Sequence, residues 1–284
     1  MSENFRNLPE ITRKTLLYKS GVAYAGYALN HAEGCAHGCN FPCYAMMMKK
    51  RCGKVKNYDD WLKPRIVVNA LELLDKEIPK LKHKIGYVFM CFATDPFMYK
   101  VPEICTLSLK IIERLNRSGI KVVTITKGLY PDDLTDTDTY SVDNEYGATI
   151  VSLSDEFHEK YEPYTAPVVE RIRTLKALHD SGLKTWVSME PYPTPNIIKQ
   201  EISEILEAVS FVDKIIFGKW NYSKLVSSYR GHKEFYDTTA RKVLDFCNEK
   251  SIYVYMKEGT MTQECLTESN MQIFHTVKQQ ELFS

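Results

Sequence analysis

The feature that most constrains the fold is a regular alternation of apolar segments with amphipathic ones along the chain. Seven segments are typical of strands because they are apolar or rich in β-branched residues: 24–29, 85–92, 121–126, 147–153, 183–189, 214–217 and 252–256. Six segments in the intervening stretches are typical of helices: 44–51, 64–74, 102–116, 167–181, 197–209 and 233–248. This order favours an α/β fold with parallel strand pairing and right-handed crossovers.

The number of predicted strands suggests how the sheet is arranged. Seven strands are one fewer than the eight of a closed TIM barrel, so the pattern favours an open or partial barrel. A doubly wound sheet is the alternative, because periodicity alone does not separate the two arrangements. No linker divides the 284 residues, so we expect a single domain over 1–284, with a core at about 22–260 and a C-terminal extension at about 260–284.

Three cysteines lie within nine residues, in the spacing C-x3-C-x3-C: Cys35, Cys39 and Cys43. Three thiolates this close can hold an iron–sulfur cluster and leave one iron without a protein ligand, where a small molecule could bind. A zinc site is the alternative, with His37 as the fourth ligand. The other five cysteines are scattered singly, so a disulfide framework is not favoured.

Composition limits the partners and the compartment. The 37 basic and 36 acidic residues give a net charge of +1, so global charge does not indicate nucleic-acid binding, although a local basic groove would be compatible with it. No apolar run approaches the roughly 20 residues that a membrane span needs. Residues 1–21 lack the apolar core of a signal peptide. We therefore expect a cytoplasmic protein with no membrane partner, in which thiols stay reduced.

Polar residues follow the predicted strands at their carboxyl ends, where parallel α/β proteins bind ligands. Many Ser, Thr and Asp residues at such places are helix N-caps. A role as helix N-cap does not explain the presence of Lys127 or Lys219 at these positions, nor that of Glu190 directly before a proline. The candidates for a binding site at this edge are Thr94, Asp95, Lys127, Ser152, Ser154 and Glu190.

With these motifs in order, the chain resembles the radical S-adenosylmethionine (radical SAM) enzymes and, within them, the spore photoproduct lyase-like group. The resemblance runs from about residue 34 to residue 195. It rests on Gly34-Cys35-Ala36-His37-Gly38-Cys39 with Cys43-Tyr44-Ala45, on Thr94-Asp95-Pro96-Phe97, on Val123-Thr124-Ile125-Thr126-Lys127, on Val151-Ser152-Leu153-Ser154, and on Glu162-Pro163 with the helix that follows. Glu190-Pro191 and Lys257 are similar to residues of related phage-encoded proteins.

The resemblance implies a partial (β/α)6 TIM-like barrel with N- and C-terminal extensions and a [4Fe–4S] cluster on Cys35, Cys39 and Cys43. S-adenosylmethionine (SAM) would bind the fourth iron and be cleaved reductively to methionine and a deoxyadenosyl radical, which abstracts hydrogen from a substrate. It also implies a reductant such as flavodoxin or ferredoxin. Thr94, Lys127 and Ser152 would line the SAM pocket, and Asp95, Ser154 and Glu190 are further candidates for it.

One departure from the family pattern lies in the cysteine loop. The family spacing is C-x3-C-x2-C, whereas Asn40-Phe41-Pro42 adds one residue between the last two cysteines. A loop can absorb one residue, so the cluster prediction stands while the loop geometry is left open. Phe41 is expected to take the role of the family's aromatic residue, which packs near the adenine.

The substrate is not identified by the sequence. A nucleic acid or a nucleotide-derived compound is one candidate, because spore photoproduct lyase repairs a thymine lesion in DNA and uses a cysteine as hydrogen donor. Cys91 is the candidate catalytic residue, as hydrogen donor, but it lies one residue from where that cysteine belongs and sits in an apolar strand, so we interpret it as a core residue. The alternatives to an enzyme are a cluster-binding protein that does not cleave SAM and a zinc-stabilised nucleic-acid-binding module.

Overall fold

The computed structural model describes residues 8–21 and 26–268. Within these ranges the strands are β1 Glu10–Ile11, β2 Tyr18–Lys19, β3 Tyr27–Leu29, β4 Ala32–Glu33, β5 Arg65–Val67, β6 Tyr87–Met90, β7 Lys121–Thr126, β8 Glu145–Thr149, β9 Lys184–Tyr192, β10 Lys214–Lys219 and β11 Tyr253–Met256. The α-helices are α1 Tyr44–Arg51, α2 Tyr58–Trp61, α3 Ala70–Leu81, α4 Pro102–Asn116, α5 Asp155–Tyr161, α6 Val168–Asp180, α7 Ile202–Ala208, α8 Lys224–Ser227, α9 His232–Lys250 and α10 Gln263–Glu268.

The main sheet has the strand order β11-β10-β9-β8-β7-β6-β3-β2, with β2 antiparallel at one edge. The strands β3 and β6 to β11 pair in parallel, each with its successor in the chain. The order never reverses, so the sheet has no topological switch point and the doubly wound alternative is wrong. The two outer strands, β11 and β2, do not pair with each other in the described part of the chain, which confirms an open, partial barrel.

The parallel part of this sheet contains all seven predicted strands, one more than the six of the pattern that the resemblance implies. The first predicted strand, 24–29, is observed as β3, and its residues 24 and 25 lie outside the described residues. Residues 269–284 of the expected C-terminal extension also lie outside them. In the described ranges, none of the helices combines the length and the apolar character that a membrane crossing would require.

The predicted helix at 64–74 is wrong in its first part. Residues 65–67 form β5, which pairs with β1 in parallel and with β4 in the antiparallel direction in a separate small sheet. The helix, α3, begins only at Ala70. The spacing of Ile66 and Val67 suits a helix stripe as well as a short strand, and pairing on both sides decides in favour of the strand.

Two other boundaries differ from the sequence prediction for an identifiable reason. The fourth parallel strand, β8, ends at Thr149, whose carbonyl oxygen accepts a hydrogen bond from Arg171 Nη1 (3.0 Å). The helix α7 begins at Ile202 instead of residue 197, and Gln200 Nε2 donates to the Val151 carbonyl (2.9 Å). Side chains from distant segments thus occupy backbone acceptors here, which no local pattern reveals.

A small cluster of buried apolar side chains lies on one face of the main sheet. Five strands each contribute one buried side chain to it: Ala28, Phe89, Val123, Trp186 and Ile216. Successive side chains of a strand point to opposite faces, so the neighbouring positions pack outward against the helices in the main core.

Candidate functional site

A cavity of about 580 Å³ lies at the carboxyl ends of the parallel strands. Of the site residues predicted from the sequence, it brings together Cys35, Cys39, Cys43, Cys91, Thr94, Asp95, Lys127 and Glu190. Pockets of roughly 300–1,000 Å³ are usual for small-molecule and cofactor sites. The predicted edge of the sheet is therefore where a ligand-sized space exists.

The three cysteines belong to a loop, residues 34–43, that is tied down at several points. The Cys35 N–H donates to the Trp61 carbonyl (2.9 Å), and the Asn40 N–H donates to the Tyr161 carbonyl (2.9 Å). Gly38 has φ +63°, and a Cβ at this position would lie 2.4 Å from the Tyr164 ring. Only glycine fits there, so the loop packs directly on the segment that follows α5.

The chemistry of the thiols suits a metal cluster. Burial, followed by the carboxylate of Asp95 and the thiol of Cys39, raises the pKa of Cys35 well above its ordinary value. Burial, followed by Glu162 and Cys43, raises the pKa of Cys39 to about 12 against the opposing charge of Lys127. Such thiols lose their protons when a bound metal ion compensates the thiolate charge. The donor set therefore fits an iron–sulfur cluster.

His37 is not available as a fourth ligand for zinc. Its Nε2 accepts a hydrogen bond from the Tyr99 N–H (2.9 Å), so the proton of the neutral ring is on Nδ1, which faces Asp95 Oδ2 at 3.5 Å. Burial lowers the pKa of His37, in agreement with a neutral ring. The loop histidine anchors the cysteine loop instead.

Asp95 and Thr94 fix the loop that follows β6. Asp95 Oδ1 accepts from Thr126 Oγ1 (2.6 Å) and from the Phe97 N–H (2.9 Å), and Oδ2 accepts from the Lys127 N–H (2.9 Å). Thr94 Oγ1 donates to the Gly34 carbonyl (2.7 Å). Both side chains line the cavity, but these bonds join β6, β7 and the cysteine loop to one another. Their chief contribution is to hold the loops around the cavity in one conformation.

Lys127 stands at one end of a buried row of three charges. Its Nζ lies 2.5 Å from Glu162 Oε1, and Glu162 Oε2 lies 2.7 Å from Arg171 Nη2. The ammonium group also lies 4.3 Å from the centroid of the Phe41 ring, within the range of a cation–π interaction. Burial alone would lower the pKa of Lys127, but Glu162 and Cys39 raise it. The lysine therefore carries a positive charge beside the cysteine loop.

The other side of the cavity is shaped by a β-bulge between β9 and β10. Glu190 and Pro191 together lie opposite Gly218, because the register shifts between Phe217 and Lys219. Glu190 Oε2 lies 3.2 Å from Lys257 Nζ. A Cβ on Gly218 would lie 3.0 Å from both of these side chains. The bulge and the glycine together make room for this ion pair in the cavity.

Ser152 and Ser154 are not part of the cavity lining. Ser152 Oγ accepts from the Ser154 N–H (3.2 Å), and Ser154 Oγ accepts from the Phe157 N–H (3.4 Å) as the N-cap of α5. Thr149, the last residue of β8, lines the cavity in their place. β8 ends before these serines, so their side chains serve the start of a helix that the sequence reading missed.

Cys91 lies at the boundary between the core and the cavity. It belongs to the main apolar core and also lines the cavity. Its Sγ lies 3.5 Å from Nδ1 of His31, a fully buried residue whose Nε2 lies 2.8 Å from Ser108 Oγ. Burial raises the pKa of Cys91, and burial lowers the pKa of His31 to about 4. Both side chains are therefore neutral near pH 7.

Sequence reasoning did not identify the residues that position the cysteine loop. The partners that it missed are His37 as an anchor, Glu162 as the partner of Lys127, and Arg171. Arg171 is 1% exposed and bonds to two carbonyl oxygens besides Glu162. Its signal in the sequence was a charge on the apolar face of the predicted helix 167–181, where a buried arginine needs a buried partner.

Comparisons with known proteins found a matching family model and similar sequences. The family model described as the Radical SAM superfamily matches residues 29–209. An uncharacterised protein of Acidianus two-tailed virus is 30% identical over 193 residues, which cover 65% of this chain and 62% of the viral protein. The match thus spans less than two thirds of that relative. An uncharacterised protein of Methanocaldococcus jannaschii is 24% identical over 192 residues, covering 68% of this chain and 70% of that protein.

Solved structures with a similar fold include two of spore photoproduct lyase variants. One, with bound AdoMet and dinucleoside spore photoproduct, has a TM-score of 0.63 at 15% identity and covers 87% of this chain and 80% of its own. The other, with the dinucleoside spore photoproduct, has a TM-score of 0.66 at 14% identity and covers 87% and 81%. At 14–15% sequence identity, these similarities show a shared fold and nothing further.

Proposed function

Since the chain belongs to the radical SAM superfamily, we propose that Cys35, Cys39 and Cys43 hold a [4Fe–4S] cluster and that SAM binds beside it in the same cavity. When bound, these groups supply a reductive cleavage that yields methionine and a deoxyadenosyl radical able to remove hydrogen from a substrate. The protein is a radical SAM enzyme, and its own residues hold, orient and shield the reacting groups.

The observation that carries the proposal is the convergence of three free thiols on one ligand-sized cavity. The loop that bears them is fixed by His37 on one side and by the Tyr161 carbonyl on the other. Positioning of this kind lowers the entropic cost of bringing the reactants together. Phe41, in the segment that carries the extra residue, packs edge-on against the ring of Trp220 at 5.4 Å.

The polar residues of the cavity divide into two groups. Asp95 and Thr94 stabilise the loops around the cavity, since their side-chain oxygens form hydrogen bonds with neighbouring segments. Lys127 offers a positive charge, and we propose that it meets the carboxylate of SAM while Glu162 keeps it in place. Glu190 is a further contact, and its pairing with Lys257 fixes its direction. Ser152 and Ser154 act on this pocket only through the start of α5.

The remaining properties follow from the same proposal. The chain would work as one domain over 1–284, in the cytoplasm, and would receive electrons from a flavodoxin or a ferredoxin. A nucleic acid or a nucleotide-derived compound stays a candidate substrate. The resemblance of the fold to spore photoproduct lyase supports this candidate only as an analogy, since one fold hosts many substrates.

One anaerobic experiment tests the cofactors. The full chain is purified under argon, reconstituted with iron and sulfide, reduced, and given SAM, and deoxyadenosine is measured by chromatography. We expect a brown protein that forms deoxyadenosine. A colourless protein that carries stoichiometric zinc after anaerobic preparation would contradict the proposal and favour the zinc-stabilised module. A brown protein that forms no deoxyadenosine would favour a cluster-binding protein without SAM cleavage.

A Lys127→Ala variant should bind SAM more weakly, by about 1.5–3 kcal/mol, the usual contribution of a hydrogen bond to a charged group. Calorimetry on the reconstituted protein measures this loss. Ser154→Ala is the matched control, because Ser154 follows a neighbouring strand but caps α5 outside the cavity. It should lose about 1 kcal/mol of stability and no SAM affinity. Equal SAM affinity of the Lys127 variant and the wild type would contradict the assignment.

A Cys91→Ala variant should still cleave SAM. The thiol is neutral and its sulfur lies in the apolar core beside His31, so we expect a modest loss of stability, about 1 kcal/mol, from the small cavity. Denaturant unfolding and deoxyadenosine formation check the two parts. An altered product with the true substrate, at unchanged SAM cleavage, would show instead that Cys91 takes part in the reaction.

A further inference from the structure

We propose that Lys219 anchors an acidic group of the substrate, a phosphate or a carboxylate, in the cavity at the strand ends. The inference rests on the proposed function and adds to it the chemical class of the substrate. Lys219 is the last residue of β10 and lines the cavity together with the Glu190–Lys257 ion pair.

The pairing of the charged groups in the cavity singles out this lysine. Lys127 is paired with Glu162, and Lys257 with Glu190. The Asp95 carboxylate is occupied by three hydrogen bonds from β7 and its own loop. Among the residues that the structure describes, Lys219 has no carboxylate within ion-pair distance. The ammonium group of Lys219 therefore has no carboxylate partner in the described part of the chain, and an anionic ligand would supply one through a charge-assisted hydrogen bond.

The local backbone keeps this ammonium group accessible. The Lys219 N–H donates to Thr260 Oγ1 (3.3 Å), which fixes the end of β10 against the loop after β11. Lys219 Nζ lies 3.5 Å from where a Cβ of Gly259 would be. The bulge opposite Gly218 directs Glu190 to Lys257, so this cavity carboxylate is already engaged. The backbone of Lys219 is therefore fixed, while its ammonium group can contact a ligand.

Lys127 and Lys219 both line the cavity, and each can bind a separate acidic group. The carboxylate of SAM is assigned to Lys127 above, which leaves Lys219 for a group that the substrate brings. The cavity mouth carries the exposed rings of Tyr44 (55% exposed) and Tyr222 (77% exposed). Exposed tyrosines offer a flat apolar face with a polar edge. The substrate we infer is an organic anion with a planar or apolar body next to its acid group.

Three small probes test this on the full-length chain: phenyl phosphate, benzoate and the neutral benzyl alcohol. Ligand-detected NMR measures their affinities for the wild type, Lys219→Met, Lys219→Arg and a control, Lys224→Met. Lys224 is an exposed lysine five residues along the chain that does not line the cavity. We expect Lys219→Met to bind phenyl phosphate about tenfold more weakly or worse, Lys219→Arg to retain binding, and the control to equal the wild type.

The probes distinguish the acid groups. Weakening of phenyl phosphate alone assigns a phosphate, and weakening of both acids assigns any compact anion including a carboxylate. Equal affinity of Lys219→Met and the wild type for both acids overturns the inference, as does benzyl alcohol binding as tightly as the acids. A matching loss of SAM affinity in Lys219→Met also overturns it, because the lysine would then serve SAM. Failure of the proposed function is a separate result, the absence of deoxyadenosine from the wild type.

Discussion

Alanine at Cys35, Cys39 or Cys43 should each abolish both iron retention and SAM cleavage. A [4Fe–4S] cluster on three protein thiolates has no spare ligand, and the histidine of this loop is not a substitute, because His37 is committed to Tyr99 and Asp95. Iron should fall from about four atoms per chain to near zero. Iron analysis of the anaerobically reconstituted variants and deoxyadenosine formation measure the two losses.

The control for this experiment lies close by in the chain. Cys52 is exposed at the end of α1 and does not line the cavity. Cys52→Ala should therefore keep its iron and its activity. If any of the three loop variants retained the wild-type iron content with a fourth residue in place of the missing thiol, the ligand assignment would be wrong.

Replacement of Glu162 by glutamine should cost about 3–5 kcal/mol of unfolding free energy, because it breaks a buried ion pair and leaves charge uncompensated. Glu162 is 3% exposed and is shared between Lys127 and Arg171, which is 1% exposed. Two cations would then face each other across a neutral amide in a dry environment. Urea unfolding followed by circular dichroism measures the loss.

The matched control is Glu170→Gln, on the helix that carries Arg171. Glu170 pairs with Arg173 at 2.9 Å, but both side chains are largely exposed, at 43% and 63%. An exposed pair of this kind contributes about 0–1 kcal/mol. If Glu162→Gln were no more destabilising than Glu170→Gln, the buried charges would not be coupled as their distances indicate.

The same carboxylate gives stability a defined pH dependence. Burial alone would raise the pKa of Glu162, but Lys127 and Arg171 lower it from 4.5 to about 2. A depressed pKa in the folded state means that the folded protein holds its proton less tightly than the unfolded chain. The contribution of Glu162 is thus fully present above a pH of about 4.5 and is lost as the pH falls toward 2. Glu162→Gln should flatten this part of the acid-unfolding profile.

Much of the fold could be predicted because its elements carry strong local signals. The helices α1 and α4 and the strand β7 occupy the predicted residues, since each has a clear periodicity and a distinct stop or start. The exceptions are short elements. The strand β5 has only three residues, and pairing with β1 and β4 fixes its conformation. The helix α5 starts at the Ser154 cap, which the sequence reading treated as a strand end.

The sequence predicted which residue types lie at the cavity better than it predicted how they are arranged. The cysteines, Lys127 and Glu190 are recognisable by residue type and by position after a strand, and the cavity contains them all. What a linear pattern does not contain is the bulge that turns Glu190 toward Lys257, or the contact between Lys127 and Glu162, 35 residues away. Register shifts and long-range pairs are decided by packing.

The order in which the chain is synthesised matters for the loop that bears Cys35, Cys39 and Cys43. Two of its anchors come late: Asn40 Nδ2 donates to the Lys160 carbonyl, 120 residues further on, and the Tyr164 N–H donates to the His37 carbonyl. The three cysteines are therefore synthesised well before residues 160–164, which help to immobilise their loop. We expect the loop to be only partly fixed until Tyr164 has emerged, so that iron–sulfur delivery follows translation of more than half the chain.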